Sequence, residues 1–365
     1  FTKFVEIGPF LFMIFKIGKS SSDFKAFKWQ INDDHSLSYL GSRFDHEVIS
    51  PVQHEFEWEK VTRDAHKNGD EPHVSILDRV FVETIKGDLT IKIEDNTNEG
   101  EGIYSELVEN KDQTLDDADY HYVDLGSIIL LKIRPYQEKA RYFIFNEKLS
   151  SVVRVDAIET ACLLLPDDQG VIFPNGFYLQ NGASKTFELD IEGVGFDKKI
   201  VSPNGEDNLF VFYQESTGTY SLFSYNIISQ KAKKPIVCSG YSFFDDGSLC
   251  YFSADDDPQK HHVIQIWQTP YTEASISDTG DAKNYLYKIG NKDVVKVMSE
   301  GNELVGLLNK DENYQNLYYD IKKLSTDVLD SYYWLNKPEA FNISESIEEI
   351  KSTAELAIDE FDKVV

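Results

Sequence analysis

Aspartates and histidines stand close together near the end of the aromatic-rich part of the sequence, at Asp255, Asp257, His261 and His262. Carboxylate oxygens and imidazole nitrogens at such short spacing are ligands for zinc or for a harder cation. The run Asp-Asp-Asp-Pro also fits a turn between two strands, with its charges facing water. Metal binding by these four residues is therefore a prediction, and a solvated turn is the alternative.

Other spacings that carry chemistry are incomplete. Gly18-Lys19-Ser20 resembles the end of a phosphate-binding loop, but Met13 stands where that loop requires its first glycine. The sequence contains no Gly-x-Ser-x-Gly, Cys-x-x-Cys or His-Glu-x-x-His motif. The three cysteines lie in or beside apolar runs and are expected to be buried free thiols. We predict no catalytic and no cofactor-binding residue in this chain.

Turn residues punctuate short aromatic strands over residues 165–271. Asn204-Gly205 and Asp246-Gly247 precede apolar runs, and Asn175-Gly176 precedes another. Such pairs favour type I′ hairpin turns, because both central residues tolerate positive φ. Asn175 is 29 residues before Asn204, which is 42 residues before Asp246. A degenerate repeat of this length is typical of β-propeller blades.

The predicted fold class is all-β, a β-propeller-like array of short antiparallel blades over residues 1–271, followed by a C-terminal α-helical segment. A large β-sandwich is the structural alternative. Trp267 lies in the last predicted strand. It is a candidate recognition aromatic, with packing inside a blade as the other interpretation.

The pattern changes after the last predicted strand. Residues 272–290 contain a Ser, Thr, Asp and Gly-rich stretch and are predicted to form a linker. Residues 291–365 show helical periodicity. In the last helix, apolar residues recur four and three positions apart, which fits either a coiled coil or ordinary bundle packing. A partner from outside this chain is the candidate ligand for this apolar stripe, which includes Ile343, Ile347, Ile350 and Phe361.

The charge balance bears on possible partners. The chain has 63 acidic and 36 basic residues, a net charge of −27, and its densest basic cluster is Lys231, Lys233 and Lys234. An acidic surface repels the phosphate backbone of nucleic acids, so we expect no direct binding of DNA or RNA. No signal peptide and no apolar run of about 18 residues occurs, which indicates a cytoplasmic protein that does not contact membranes.

Several long phrases resemble one family. They include HVSILDRVFVETIKGDLTIKIEDNT (73–97), GSIILLKIRPY (126–136), LPDDQGVIFPNGFYLQ (165–180), SPNGEDNLFVFY (202–213) and IQIWQTPY (264–271). These phrases are similar to the central region of large bacterial proteins described as DNA repair ATPases. The resemblance extends from about Phe4 to residue 295 and fades in the last helices.

The resemblance implies a longer protein, with coiled coil before this region and a MoxR-like AAA+ ATPase module after it. ATP and magnesium would then bind only to that module. The resemblance transfers no catalytic residue to this sequence. It is also compatible with an oligomer formed through the ATPase or the coiled coil.

The function expected from these observations is a non-catalytic protein-interaction or regulatory module, which recognises a protein client for the ATPase module. The alternative is a propeller hydrolase or metal-dependent enzyme that uses a central channel, since propellers carry both kinds of function.

Overall fold

The computed structural model describes residues 3–7, 9–16, 24–32, 34–42, 54–69, 72–93, 102–254, 264–271, 291–310 and 315–364. In these residues, 25 strands form five antiparallel sheets, and three α-helices follow. The chain divides into two compact units, Phe1–Glu55 and Phe56–Val365.

The first unit contains sheet 1, whose strands pair in chain order. They are β1 (Lys3–Ile7), β2 (Phe10–Lys16), β3 (Phe24–Ile31) and β4 (Leu37–Gly41). One face of this sheet carries a small core, because residues two positions apart in a strand, and residues paired across neighbouring strands, project on the same side. That core consists of Phe12, Ile14 and Ala26.

Sheet 2 opens the second unit and is a meander. Its strands are β6 (His66–Lys67), β7 (His73–Ile76), β8 (Val80–Glu83), β9 (Asp88–Lys92) and β10 (Tyr104–Leu107). Each strand pairs with the strand next to it in sequence.

Sheet 3 is also a meander, with one added strand. Its consecutive strands are β11 (Asp119–Asp124), β12 (Ile128–Arg134), β13 (Arg141–Asn146) and β14 (Ser151–Arg154). The fifth strand, β5 (Glu59–Lys60), precedes sheet 2 in sequence but pairs with β11. The chain therefore passes from the edge of sheet 3 into sheet 2 and back, which links the two sheets.

Sheet 4 is the smallest sheet of the second unit. Its strands are β15 (Leu163–Leu164), β16 (Gly170–Phe173), β17 (Gly176–Leu179) and β18 (Ser184–Thr186). A Cβ atom on Gly176 would lie 2.3 Å from the carbonyl oxygen of Lys185. Glycine is required there because β17 and β18 approach closely, not because the turn needs positive φ.

Sheet 5 contains seven strands in one continuous sheet. β21 pairs with β22 near one end and with β23 near the other, so the region predicted to form consecutive blades is joined here. The strands are β19 (Val194–Val201), β20 (Asp207–Gln214), β21 (Thr219–Asn226), β22 (Lys231–Ala232), β23 (Ile236–Phe243), β24 (Ser248–Ser253) and β25 (Gln265–Gln268).

Sheets 2 to 5 stack face to face in chain order. In β12, Ile129 and Leu131 pack in the core with sheet 2, whereas Ile128 and Leu130 pack in the core with sheet 4. A strand buried on both faces reads as a continuous apolar run, which explains why β12 shows no alternation. Sheets 4 and 5 share the next core, which also includes Val295. The predicted fold class is confirmed: a propeller-like array of short antiparallel sheets, followed by helices.

The predicted turn type at the Asn-Gly and Asp-Gly pairs is wrong. Gly205 and Gly247 have φ of 79° and 83°, but Asn204 and Asp246 do not have positive φ. The amide of Gly247 donates to the carbonyl of Phe244 over 2.9 Å, which closes a type I turn followed by a left-handed glycine. Asn204 and Asp246 act through their side chains, which accept hydrogen bonds from residues two positions away.

Positive φ at both central residues, as in a type I′ turn, occurs instead at Leu77-Asp78 and at Lys86-Gly87. In the first turn, the amide of Arg79 donates to the carbonyl of Ile76 over 3.1 Å. In the second, the amide of Asp88 donates to the carbonyl of Ile85. A non-glycine residue in this region is uncommon, so the surrounding sheet imposes the conformation of Leu77.

The helical segment comprises α1 (Asn291–Leu308), α2 (Gln315–Ser331) and α3 (Ile343–Val364). Their apolar faces share one core with Trp334 and Leu335. No helix in the described part of the chain has the length and apolar composition needed to span a membrane. The predicted linker, residues 272–290, lies outside the described residues.

Candidate functional site

The predicted metal ligands Asp255, Asp257, His261 and His262 all lie outside the described residues. Among the residues that the structure describes, no group of three or more His, Cys, Asp or Glu side chains is placed to hold a metal ion. Metal binding by the four predicted residues stays a prediction.

Trp267 lies in β25 and is partly buried against the core of sheet 5. Its ring centroid is 5.9 Å from that of Tyr271 in an edge-to-face arrangement, and the Lys233 ammonium lies 6.0 Å from the indole ring. The described contacts of this side chain are thus packing contacts within the chain.

The apolar stripe of α3 meets α2 and the segment before α3. Ile347 is buried, and Ile350 packs against the same core. Phe361 contacts Tyr318 of α2 with a ring-centroid distance of 5.8 Å. Ile343, by contrast, is 47% exposed. Packing within a helical bundle of this chain therefore covers most of the stripe for which a coiled-coil partner was the alternative.

Two clefts lie at opposite ends of β11 and β12, and both have volumes of about 500 Å³. The first, which we call the acidic cleft, has a volume of 520 Å³. Turns of sheets 3 and 4 build it, and its lining consists of Asp124, Leu125, Gly126, Ser127, Lys148, Leu164, Asp168, Gly170 and Gln180.

Arg79 holds one side of the acidic cleft in place. The type I′ turn between β7 and β8 projects its guanidinium toward sheet 3, where it donates to Asp124 over 3.1 Å and to Glu147 over 2.6 Å. It also donates to the carbonyl of Gly126. The hydrogen bond with Glu147 raises the pKa of Arg79 above its usual value. Arg79 therefore ties the turns of sheet 2 and sheet 3 together, and its charge is fully compensated.

Gln180 ties turns of sheets 3 and 4 together, as Arg79 does for sheets 2 and 3. Its amide nitrogen donates to the carbonyl of Leu125 over 2.7 Å, and its amide oxygen accepts from Ser127. Asn146 donates to the backbone carbonyl of Gln180 over 3.0 Å. The turns around the acidic cleft are thus joined across three sheets, which fixes the shape of its rim.

Asp167 and Asp168 form an exposed acidic turn beside this cleft. Both have positive φ, 54° and 53°, and the amide of Gln169 donates to the carbonyl of Pro166 over 3.2 Å. Aspartate is one of the few non-glycine residues that adopts this conformation readily. The turn directs two carboxylates to solvent at the edge of sheet 4.

The second cleft, which we call the basic cleft, has a volume of 510 Å³ and lies on the face of sheet 3 that packs on sheet 4. Its lining consists of Asp119, His121, Lys132, Arg134, Glu138, Lys139, Ala140, Tyr142 and Glu159.

Strand pairing brings the side chains of the basic cleft into one row. Lys60 of β5 pairs with His121, which pairs with Lys132, which pairs with Tyr142. Directly opposed residues of antiparallel strands project on the same face, so these four side chains are neighbours. The Lys132 ammonium lies 5.7 Å from the Tyr142 ring and 6.0 Å from the Trp58 ring.

Two ionisable groups of the row have shifted pKa values. Burial, and then the charge of Lys132, lowers the pKa of His121, so its imidazole is neutral at pH 7. Burial raises the pKa of Tyr142 to about 12, so the phenol stays protonated. Neither group therefore adds negative charge to the cleft.

Sequence reasoning missed both clefts. Their residues come from separate strands and turns, and no spacing in the sequence joins them. One signal was present: Lys132 interrupts the apolar run of β12, where a lysine is expected only with a compensating environment.

Comparisons with known proteins give one family and distant structural similarity. No curated protein matches this sequence. An oligogalacturonate lyase in complex with manganese is 10% identical, with 72% of this chain and 71% of that chain covered and a TM-score of 0.22. An oligogalacturonate lyase from Vibrio parahaemolyticus is 11% identical over 72% of each chain, with a TM-score of 0.21.

TolB from Acinetobacter baumannii is 10% identical, with 72% of this chain and 78% of that chain covered and a TM-score of 0.17. TM-scores of this size support no inference about shared architecture or function. The family comparison is different in kind, because one family model matches residues 1–333 and so includes both clefts. The chain belongs to the family DUF3686, described as "ATPase involved in DNA repair".

Proposed function

We propose that this chain is a non-catalytic recognition module of a DNA repair ATPase, and that its acidic cleft binds a basic segment of a protein partner. One observation carries the proposal: a cleft with a fixed rim, in which carboxylates exceed the cations available to neutralise them. Asp124 and Glu147 share the single guanidinium of Arg79, and Asp167 and Asp168 are exposed beside them.

The composition of the cleft suits a lysine or arginine side chain. Leu125 and Leu164 supply apolar surface for the methylene stem, while the carboxylates of Asp124 and Asp168 are available to the charged end. Lys148, the cation in the lining, is exposed at the rim. A partner with several basic residues would also be attracted by the net charge of −27.

The hydrogen-bonded turns favour binding because few loops and side chains have to become ordered when the partner binds. Arg79 and Gln180 already hold the rim through hydrogen bonds from three sheets. A preorganised site loses less conformational entropy on association than a mobile one.

We further propose that ATP and magnesium bind to a MoxR-like AAA+ module of the full-length protein and not to this chain. The support is the resemblance together with Met13, which replaces the glycine of a phosphate-binding loop. In this arrangement, the acidic cleft would select a client for the ATPase, in the cytoplasm and without contact to membranes.

The proposal is tested with a synthetic peptide of alternating lysine and serine, titrated by calorimetry into the wild-type chain and into the double variant D167N/D168N. Asparagine also adopts positive φ, so the turn is retained while two charges are lost. We expect the affinity to fall about fivefold or more, since each exposed pair contributes up to about 1 kcal/mol.

The control is the double variant E348Q/D359N, which removes the same charge from exposed positions of α3. Equal weakening in both double variants would show that the peptide senses only net charge, and would contradict the assignment to the acidic cleft. Retention of binding in the control, with loss in D167N/D168N, supports it.

A further inference from the structure

The basic cleft contains a cation without a counter-charge. In the described part of the chain, Lys132 makes no ion pair, and its ammonium is flanked by the rings of Tyr142 and Trp58. Its side chain is half-buried on a strand whose other residues, apart from Arg134 at the end, are apolar. Placing an ammonium in such surroundings costs free energy unless a partner compensates it. In a chain of net charge −27, this is an unusual environment.

His121, next to Lys132 in the row, also lacks a partner. Its Nδ1 atom is buried and has no hydrogen-bond partner among the described residues. Because Nδ1 is buried, a ligand in the cleft has to bind at the other ring nitrogen of His121, Nε2. A group that accepts a hydrogen bond from Nε2 would also compensate Lys132.

The carboxylates nearest to this pair are already engaged. Asp119 accepts from Arg134 and, over 3.4 Å, from Lys60. Glu138 accepts from Arg141, which lies outside the cleft. Glu159 is the other carboxylate of the lining, and it is exposed. In the described residues, none of these carboxylates forms an ion pair with Lys132.

We propose that the basic cleft binds a phosphate group, with Lys132 and His121 as its principal contacts and Arg134 and Lys139 at its rim. The unprotonated oxygens of a phosphate accept hydrogen bonds and share a charge of about −1.5 to −2, which suits a cation that has no ion-pair partner. The cleft volume of 510 Å³ accommodates a single phosphate with a small organic group attached. The site takes one phosphate and not a polyanion, because the cationic row is short.

The probe is inorganic phosphate, titrated into the isotopically labelled chain while the ring signals of His121 are followed by NMR at constant ionic strength. We expect a saturable shift of these signals and a rise in the pKa of His121, because a bound dianion favours the imidazolium. The charged groups that act on this ring are Lys60, Lys132 and Arg134 on neighbouring strands and Asp119 on the strand of His121 itself. Chloride at equal ionic strength should produce no saturable shift.

The variant K132Q should weaken phosphate binding about tenfold or more, as expected for loss of a charge-assisted contact. K132R keeps the cation and should retain most of the affinity, which guards against a misfolded K132Q. The matched control is K234Q, which removes an exposed lysine between β22 and β23.

Adenosine 5′-monophosphate and inorganic phosphate are compared to separate the contribution of the organic group. Tighter binding of the nucleotide, lost in K132Q, extends the site beyond the phosphate, and equal binding assigns all recognition to the phosphate. Shifts that are identical in chloride, or unchanged in K132Q, would overturn the proposal.

Discussion

The two ends of sheet 3 differ in which charged side chains lack an ion-pair partner, although they belong to the same strands. At the acidic end, Arg79 is shared by Asp124 and Glu147, so carboxylates are in excess. At the basic end, Asp119 and Glu138 are engaged by arginines, and Lys132 is left over. Which sign dominates in each cleft is decided by pairing and not by composition.

The side chains that form ion pairs are more exposed at the acidic end than at the basic end. Asp124 and Glu147 are 43% and 48% exposed, so water screens their pairing with Arg79. Arg141, which pairs with Glu138 in the lining of the basic cleft, is only 12% exposed. The same kind of ion pair should therefore contribute more to stability at the basic end.

Arg141 is the centre of the more buried network. Its guanidinium donates to Glu106 over 2.6 Å and to Glu138, and Glu106 also accepts from Arg154 over 2.9 Å and from Tyr104 over 2.7 Å. These residues join β10 of sheet 2 to β13 and β14 of sheet 3. Removing one partner leaves the others with unpaired charge.

The largest expected effect is that of R141M, which should lower the free energy of unfolding by about 2–4 kcal/mol, because two carboxylates lose their main partner. The matched substitution R79M should cost about 1–2 kcal/mol, because its carboxylates are half exposed and recover hydration. Urea denaturation of both variants measures the difference. Equal losses would show that burial does not distinguish the two ends.

A change of pH is expected to alter the free energy of unfolding by less than R141M does. Burial acts to raise the pKa of Glu106, but hydrogen bonds from Arg141, Tyr104 and Arg154 outweigh it, and the pKa is lowered overall. A carboxyl with a lowered folded-state pKa stabilises the protein above its unfolded pKa of about 4.3. This contribution is lost as the pH falls through the folded-state pKa.

His121 affects the free energy of unfolding at higher pH than Glu106 does. Its folded-state pKa is also lowered. The neutral imidazole is favoured in the folded state, so its contribution is present above the unfolded pKa of about 6.5 and declines below it. We expect the unfolding midpoint of the wild type in urea to fall between pH 7 and 5.5, and that of H121Q to fall less. Parallel curves for the two proteins would contradict a lowered pKa of His121.

Much of the β-sheet architecture could be predicted from the sequence, because strand length and turn residues are local properties. The apolar runs predicted to follow Asn175-Gly176, Asn204-Gly205 and Asp246-Gly247 do form strands, namely β17, β20 and β24. Turn type was not predictable in the same way. The dipeptide tolerates a type I′ turn, but loop length and side-chain hydrogen bonds select a type I turn with a left-handed glycine.

The clefts could not be predicted because their geometry is non-local. Arg79 reaches Glu147 across 68 positions of sequence, and Lys60 meets His121 only because β5 is placed at the edge of sheet 3. A single sequence offers no pattern for such encounters. The lysine cluster at Lys231, by contrast, was visible in the sequence, yet those lysines lie along one edge of sheet 5 and build neither cleft.

The smallest expected effect is on duplex DNA, where the family description and the charge point in opposite directions. Affinity for duplex DNA depends on how many phosphates a protein neutralises, with a salt slope of about 0.9 per phosphate. The basic cleft offers few uncommitted cations, since Arg134 and Lys60 are engaged by Asp119. We therefore expect no affinity tighter than about 10⁻⁴ M at physiological salt.

Fluorescence anisotropy of a labelled duplex at about 50 and 200 mM salt measures this affinity, and two sets of variants sharpen the comparison. K132Q removes the cation of the basic cleft, and the triple variant K231Q/K233Q/K234Q removes the exposed cluster of sheet 5. Neither should change the anisotropy, because the surrounding carboxylates keep the potential negative on the scale of a duplex. Micromolar binding that weakens steeply with salt would contradict this expectation. Its loss in K132Q alone would locate that binding in the basic cleft, and its loss in the triple variant alone would locate it at the edge of sheet 5.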